Sequence, residues 1–248
     1  MEIQRKGKLN WNKFSHQFDE SWHNIIKPFI ESEECDKIYA FLKKESARGK
    51  KIAPNSSDVF RCFKETKLSD LKVVLIGICP YHTASFNKEC IADGLLMGCS
   101  KTGKLQPALE QFYNGIDKEL YEGKDLYHIL NPDVSYLANQ GVLMLNAALT
   151  TEINKAGSHL DIWEPFMKYI FENIFDVERV PIVFLGKEAA KLKKYLPIFN
   201  WSFELPHPAS ASYTHTEWET EGVFGKVSKI LKDNNNYTIN WLDEDLPF

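Results

Sequence analysis

The sequence has no run of apolar residues that approaches the ~20 needed for a membrane-spanning helix. Its first residues, which include Glu2, Arg5, Lys6 and Lys8, lack the apolar core of a secretory signal. We therefore expect an intracellular, cytoplasmic protein that makes no contact with a membrane.

Closely spaced cysteine pairs of the Cys-x-x-Cys kind, typical of structural zinc and many iron–sulfur sites, are also missing. The five cysteines are an odd number at wide spacings, which favours reduced thiols over disulfides. A four-thiolate cluster of Cys62, Cys79, Cys90 and Cys99 is the alternative, but no spacing supports it. The sequence thus predicts no metal and no other cofactor.

A surplus of basic residues, which is common in nucleic-acid-binding domains, is absent too. Lysine and arginine number 30 against 34 acidic residues, a formal net charge of −4. This argues only weakly against nucleic acid, because local patches matter more than the total. One cationic run comprises Lys187, Lys191, Lys193 and Lys194, and a solvated helix face is its simpler explanation.

The 248 residues contain no linker, repeat or low-complexity block, which predicts one domain over residues 1–248 with residues 1–50 as its helical N-terminal part. Short β-rich runs separated by helical stretches predict a three-layer α/β/α sandwich around a four-stranded, mainly parallel sheet. The four runs begin at Val73, Val142, Val180 and Trp201.

Apolar residues with helical spacing predict helices that pack on this sheet. The stripes are Trp163, Phe166, Met167, Ile170, Phe171, Ile174 and Phe175; Leu109, Phe112, Tyr113, Ile116 and Leu120, with Pro107 near the start; and Ile38, Phe41 and Leu42 after a Ser32 cap. Burial in the core explains these aromatic residues without any ligand.

Reactive side chains follow the predicted strands. The first run ends in Cys79-Pro80-Tyr81-His82, the second in Asn146, and the last in a predicted loop, Pro206–Ser212, that contains His207. Ligands of parallel α/β sheets bind at the carboxyl ends of the strands, so we expect the active site there.

Several motifs recur in a recognisable order. They are Ile52-Ala53-Pro54, Phe60-Arg61-Cys62-Phe63, Lys72–His82, Gly94-Leu95-Leu96, Gln140–Thr150, Ser158-His159, Trp163-Glu164, His207-Pro208, Phe224-Gly225 and Ile239-Asn240-Trp241. This ordered set resembles family 1 uracil-DNA glycosylases, and the resemblance covers the chain from about Ile52 to Trp241.

The resemblance implies the uracil-DNA glycosylase fold and an enzyme that flips a nucleotide out of DNA and hydrolyses its N-glycosidic bond, leaving an abasic site. Its partners would be DNA and, in addition, a protein partner or inhibitor. It would act as a monomer, at the nucleoid or, in a eukaryote, in the nucleus.

The resemblance also implies roles for individual residues. His207 would donate to the pyrimidine O2 and stabilise the departing base, while the amide of Asn146 reads the base edge of uracil or, turned over, of cytosine. Tyr81 would block a C5 methyl group. His82 and Ser212 would lie near the DNA phosphates, and His159 would support the site.

The chain departs from the family pattern at five positions. Cys79 replaces the water-activating aspartate, and its thiolate would act as base, stabiliser of the cation or nucleophile, or its thiol would only fill space. Ile78 replaces a glutamine beside the base, and Met97 replaces a phenylalanine that stacks on the base. Ser210 replaces a loop proline, and Ala211 replaces the leucine that fills the gap left by the flipped base.

The connection from His82 to Gly94 is about five residues longer than in the family. If Cys79 is inert, Asp93 or Glu89 in this connection is expected to assist as the acid.

From these departures together we expect a glycosylase for an atypical or C5-modified pyrimidine, as in modified phage DNA, which would suit antiphage defence, with uracil next. The alternatives are a catalytically impaired scaffold that binds DNA or associates with a polymerase, and a protein-interaction module.

Overall fold

The main sheet has four parallel strands. The structure is a computed structural model that describes residues 9–84, 90–123, 131–174, 180–196 and 201–242. A separate antiparallel pair joins β1 (Ile52–Ala53) to β4 (Thr151–Glu152). The main strands are β2 (Val73–Gly77), β3 (Val142–Asn146), β5 (Ile182–Leu185) and β6 (Ser202–Leu205), in the order β3-β2-β5-β6. This confirms the predicted sheet.

Helices pack around the sheet. Their bounds are α1 His23–Ile30, α2 Glu33–Ala47, α3 Arg61–Glu65, α4 Pro107–Leu120, α5 Ser135–Asn139, α6 Leu160–Ile174, α7 Lys187–Ala190, α8 Pro208–Thr214 and α9 Val223–Asn235. Short 3₁₀ turns lie at Trp11–Lys13, Ser15–Gln17, Glu20–Trp22, Leu68–Asp70, Ser100–Thr102 and Lys191–Tyr195.

The three helices expected from apolar spacing are present. Helix α4 begins at Pro107, where the missing amide hydrogen has no cost. Helix α2 is capped by the Ser32 hydroxyl, which accepts a hydrogen bond from the Cys35 amide at 3.2 Å. The apolar stripe of α6 faces the core from Trp163 to Phe171, and Phe175 lies outside the described residues.

The segment after β6 differs from the expected loop, because Pro208–Thr214 is helical. Pro208 occupies the first helical position, where its fixed φ suits a helix, and the His207 ring caps the helix by accepting from the Ala209 amide at 3.2 Å. His207 is therefore a capping residue on a rigid element.

Three of the four lysines of the cationic run after β5 pair with acidic neighbours. Ion pairs join Lys191 to Glu188 at 2.7 Å, Lys193 to Glu204 at 2.9 Å and Lys194 to Glu164 at 2.5 Å. The run is a solvated, paired surface, in keeping with its simpler explanation.

Within the described ranges, no helix is long and apolar enough to cross a membrane. In the same residues, no three His, Cys, Asp or Glu side chains come together as a metal site. The five cysteines are free thiols.

Candidate active site

The site is centred on Gly77, the last residue of β2, which lies opposite Asn146, the last residue of β3. A Cβ atom on Gly77 would clash with the end of the Leu96 side chain, which would have to move to admit a larger residue. The same point lies 3.4 Å from the Asn146 Oδ1 atom and 3.6 Å from the His207 Nε2 atom. The amide of one strand end and the imidazole beyond another therefore approach the same small space.

The protonation of His207 follows from its environment. Because its Nδ1 atom accepts the Ala209 amide hydrogen, the neutral ring carries its proton on Nε2. Burial lowers the pKa of His207 to about 4, so the ring is neutral at pH 7. It therefore presents an N–H donor toward Gly77.

Asn146 is buried, and its Oδ1 atom has no hydrogen-bond partner among the described residues. A buried carbonyl oxygen left unpaired costs about 1–3 kcal/mol. A ligand that donates a hydrogen bond to this oxygen would recover that free energy, so Asn146 is prepared to bind a polar group.

The Cys79 thiol is half-buried and accepts a hydrogen bond from the Gly157 amide, with an N to Sγ distance of 3.2 Å. The Thr151 hydroxyl also faces the sulfur, but its proton goes to the Lys155 carbonyl at 2.8 Å. Burial raises the pKa of Cys79, and the hydrogen bond from Gly157 offsets only part of that effect. Cys79 is therefore a neutral thiol at pH 7.

Ile78 offers no hydrogen bond to a base. Its side chain packs beside two glycines, with atoms 3.6 Å from the position of a Cβ on Gly186 and 3.8 Å from that of a Cβ on Gly157. Both glycines have positive φ, which a larger residue would adopt only with strain. The isoleucine therefore makes this wall of the site apolar.

Tyr81 lies against helix α4. Its buried hydroxyl oxygen faces the Leu109 amide and has no geometrically sound hydrogen bond among the described residues, while burial raises the pKa of the phenol.

Met97 is buried and has a φ of 58°. A left-handed conformation costs a non-glycine residue about 1–2 kcal/mol, so the chain holds Met97 in place under strain.

Asp93 fixes the segment that carries Met97, a structural role that the sequence alone does not predict. The carboxylate is fully buried, pairs with Arg61 at 2.9 Å, and accepts from the Ser100 hydroxyl at 2.6 Å and the Leu95 amide at 3.2 Å. These bonds occupy both of its oxygens, so Asp93 is a structural residue and not the assisting acid that we considered. Residues 85–89, including Glu89, lie outside the described residues.

His159 lies behind the site. Trp163 donates its indole hydrogen to the Thr150 oxygen at 2.7 Å, and the Thr150 hydroxyl and the His159 Nδ1 atom share a hydrogen bond of 2.9 Å. Burial lowers the pKa of His159. These hydrogen bonds order the segment after β3.

The four expected DNA contacts differ in exposure. The half-buried His82 has an unpartnered Nδ1 atom among the described residues, and the exposed Ser210 donates to the His207 carbonyl at 2.6 Å. The Ser212 hydroxyl donates to the Pro107 carbonyl at 2.9 Å. Ala211 is only 5 % exposed, because this side of α8 packs into the core, so it offers DNA almost no surface.

Comparison with known proteins shows which family this chain resembles. The Uracil DNA glycosylase superfamily matches residues 63–232. The uracil-DNA glycosylase of Francisella tularensis subsp. tularensis (strain WY96-3418) is 32% identical over 227 residues, which cover 89% of this chain and 98% of that protein.

Two solved structures have the same fold. The crystal structure of mimivirus uracil-DNA glycosylase has a TM-score of 0.79 at 20% identity, covering 94% of this chain and 90% of that one. A mimivirus variant in complex with UGI has a TM-score of 0.78 at 20% identity, covering 94% and 91%. The family match spans more than half of the sequence, and a relative above 30% identity covers most of it. The chain belongs to the uracil-DNA glycosylase superfamily.

Proposed function

We propose that this protein is a DNA glycosylase that acts inside the cell, binds a flipped pyrimidine over Gly77 and hydrolyses its N-glycosidic bond. The convergence of Asn146 Oδ1 and His207 Nε2 on Gly77 carries this proposal. A neutral imidazole with its hydrogen on Nε2 is suited to the O2 atom of a departing pyrimidine anion. The Asn146 amide, with one acceptor and two donor hydrogens, pairs with the polar edge of the base.

In this proposal most of the rate acceleration comes from stabilising the departing base, through His207 and Asn146. A neutral thiol at position 79 is a weak base and adds no negative charge below the sugar, where an oxocarbenium-like cation forms. Hydrolysis of an ordinary nucleotide is then slow. A base that departs more easily, or one that makes additional contacts, compensates for the missing carboxylate.

We propose an atypical or C5-modified pyrimidine as the target, with uracil next. The apolar Ile78 and the flexible Met97 replace polar and flat neighbours of the base, which relaxes the demand for a particular planar shape. Tyr81 stands against this target if its ring covers C5. Because its buried hydroxyl lacks a sound hydrogen bond, displacing the ring sacrifices little polar interaction.

The test is base release from matched DNAs that contain uracil, 5-hydroxymethylcytosine or glucosylated 5-hydroxymethylcytosine. Abasic sites are detected by alkali cleavage, and the released base is identified by mass spectrometry. We expect faster release of a C5-modified base than of uracil, and a reduced preference in Met97→Phe. Faster release of uracil than of every modified base would contradict the modified target and leave a uracil glycosylase.

A catalytically impaired DNA-binding scaffold is the second candidate, favoured by the neutral Cys79 thiol and the buried Ala211. It predicts salt-dependent DNA binding with no release from any of these substrates. The mimivirus protein in complex with UGI supports a protein inhibitor as a further proposed partner of this chain.

A further inference from the structure

The most exposed large hydrophobic side chain among the described residues is Tyr213, at 78 %. Tyr39 and Tyr237 follow at 48 % and 43 %. An aromatic ring left this open to solvent gains nothing from the folded core. The ring is therefore free to stack on a ligand that reaches this surface.

Tyr213 lies on the helix that begins at the active site. Helix α8 starts directly after His207, and six residues at 1.5 Å each place Tyr213 about 9 Å further along the axis. Each residue of a helix is rotated by about 100° from the one before it. Tyr213, two residues after the buried Ala211, therefore points to the opposite side of α8. The ring therefore projects to solvent from the element that carries the imidazole.

The helix presenting this ring is fixed at several points. The Ser212 hydroxyl donates to the Pro107 carbonyl at the start of α4, and the Thr216 amide donates to the Ala211 carbonyl at 3.0 Å. The Trp218 indole donates to the Pro206 carbonyl at 2.8 Å, which ties the two ends of the helix together. A rigid mount of this kind lowers the entropy lost when the ring binds.

Two of the acidic residues that follow α8, Glu217 and Glu219, share one lysine. Lys118 bonds to Glu217 at 2.8 Å and to Glu219 at 3.1 Å, which reduces their repulsion toward a polyanion. The small polar residues Ser210 and Thr214 are the exposed neighbours of the ring on the helix itself. Nothing bulky or strongly charged on α8 prevents the ring from approaching DNA.

We propose that Tyr213 stacks on the base pair beside the flipped nucleotide and takes the place of a wedge at position 211. The inference rests on the proposed function, because it assumes that DNA crosses the strand ends near His207. Base faces stack on aromatic rings regardless of sequence. Tyr213 therefore adds affinity for DNA and keeps the DNA duplex open at the flipped nucleotide without selecting a base. Tyr213 is in this respect a positioning residue for the extruded nucleotide.

The test measures binding to a duplex that contains a tetrahydrofuran abasic-site analogue next to 2-aminopurine. The analogue cannot be hydrolysed, so the result does not depend on base release, and a failure of catalysis is distinguishable from a failure of stacking. The variants are Tyr213→Ala and Tyr213→Phe. Tyr39→Ala is the matched control, because it removes an exposed tyrosine from α2.

We expect Tyr213→Ala to bind the probe about tenfold more weakly and to give a smaller change in 2-aminopurine fluorescence, whereas Tyr213→Phe and Tyr39→Ala retain both. The thermal unfolding of all three should match the parent, because the rings are exposed. Parental affinity and fluorescence in Tyr213→Ala would overturn the proposal. An equal loss in Tyr213→Phe or in Tyr39→Ala would overturn it as well, because the effect would then not arise from a stacked ring at this position.

Discussion

The Gly157 amide donates a hydrogen bond to the Cys79 sulfur across 3.2 Å, joining two loops that lie 78 positions apart in the chain. An N–H group aimed at position 79 complements any acceptor there, and a carboxylate accepts such a bond more strongly than a thiol. The surroundings of Cys79 are thus suited to an anion that the residue itself does not supply at neutral pH.

The first prediction is that Cys79→Asp increases uracil release from DNA at pH 7 by roughly 10²-fold, because a carboxylate supplies the base and the negative charge that the thiol lacks. Single-turnover alkali cleavage measures the rate. Cys79→Ser is the control, and it should remain within a few-fold of the parent because both side chains are neutral. A Cys79→Asp variant that folds but gains nothing would show that the rest of the site no longer supports uracil chemistry.

The pH dependence of base release should reflect the neutral form of His207. Since burial lowers the pKa of His207 to about 4, kcat/KM should be constant from pH 8 to about 5 and decline near pH 4. A decline centred near 6.5, the ordinary histidine value, would contradict this.

The same lowered pKa links His207 to stability, because only the neutral ring is favoured in the folded state. Its contribution is fully present above pH 6.5 and is lost as the pH falls toward 4. Urea unfolding at pH 7 and pH 4.5 should show a smaller acid destabilisation in His207→Ala than in the parent.

His207→Ala should slow base release by roughly 10²-fold or more, because a single donor to a developing anion contributes about that much. It should also lower the free energy of unfolding by about 1 kcal/mol through loss of the helix cap. Binding to abasic product should change far less than the rate. His16→Ala, at an exposed histidine of an N-terminal 3₁₀ turn, is the control. Equal losses in rate and product binding would argue against a role at the leaving group.

Asp93→Asn should destabilise the protein by about 1–3 kcal/mol, because it removes the buried charge partner of Arg61, which keeps its ion pairs with Glu65 and Asp133. Asp233→Asn breaks an exposed pair with Lys229 on α9 and should cost under about 1 kcal/mol. Denaturant unfolding of the two variants provides the comparison. Similar stabilities would show that the Arg61 pair is as weak as a surface pair.

The sheet and the long helices were predictable because their signals are local. Val73–Gly77 and Val142–Asn146 are continuous apolar runs, and α6 has a clear apolar stripe. The meeting of Asn146 and His207 followed from the rule that parallel strands end at the same edge.

Other features depend on contacts that the sequence does not display. The Arg61–Asp93 pair joins residues 32 positions apart, and the strained φ of Met97 follows from the segment that Asp93 holds. The partner of Cys79 is a main-chain amide, which has no side-chain signature at all. Helix α8 was missed because its cap depends on the orientation of the His207 ring.

The order of the strands distributes the site unequally over the sheet. Asn146 and Cys79 follow β3 and β2, whose residues are all buried although β3 is also an edge strand, whereas His207 follows β6, the edge strand with three of its four residues at least partly exposed. A short strand with exposed residues opens locally at a lower free energy than strands whose residues are all buried. Mild heat or denaturant should therefore loosen β6 before β2 and β3, and the hydrogen bonds that join α8 and the segment before it to Pro107 and Trp218 then decide how long the imidazole keeps its place.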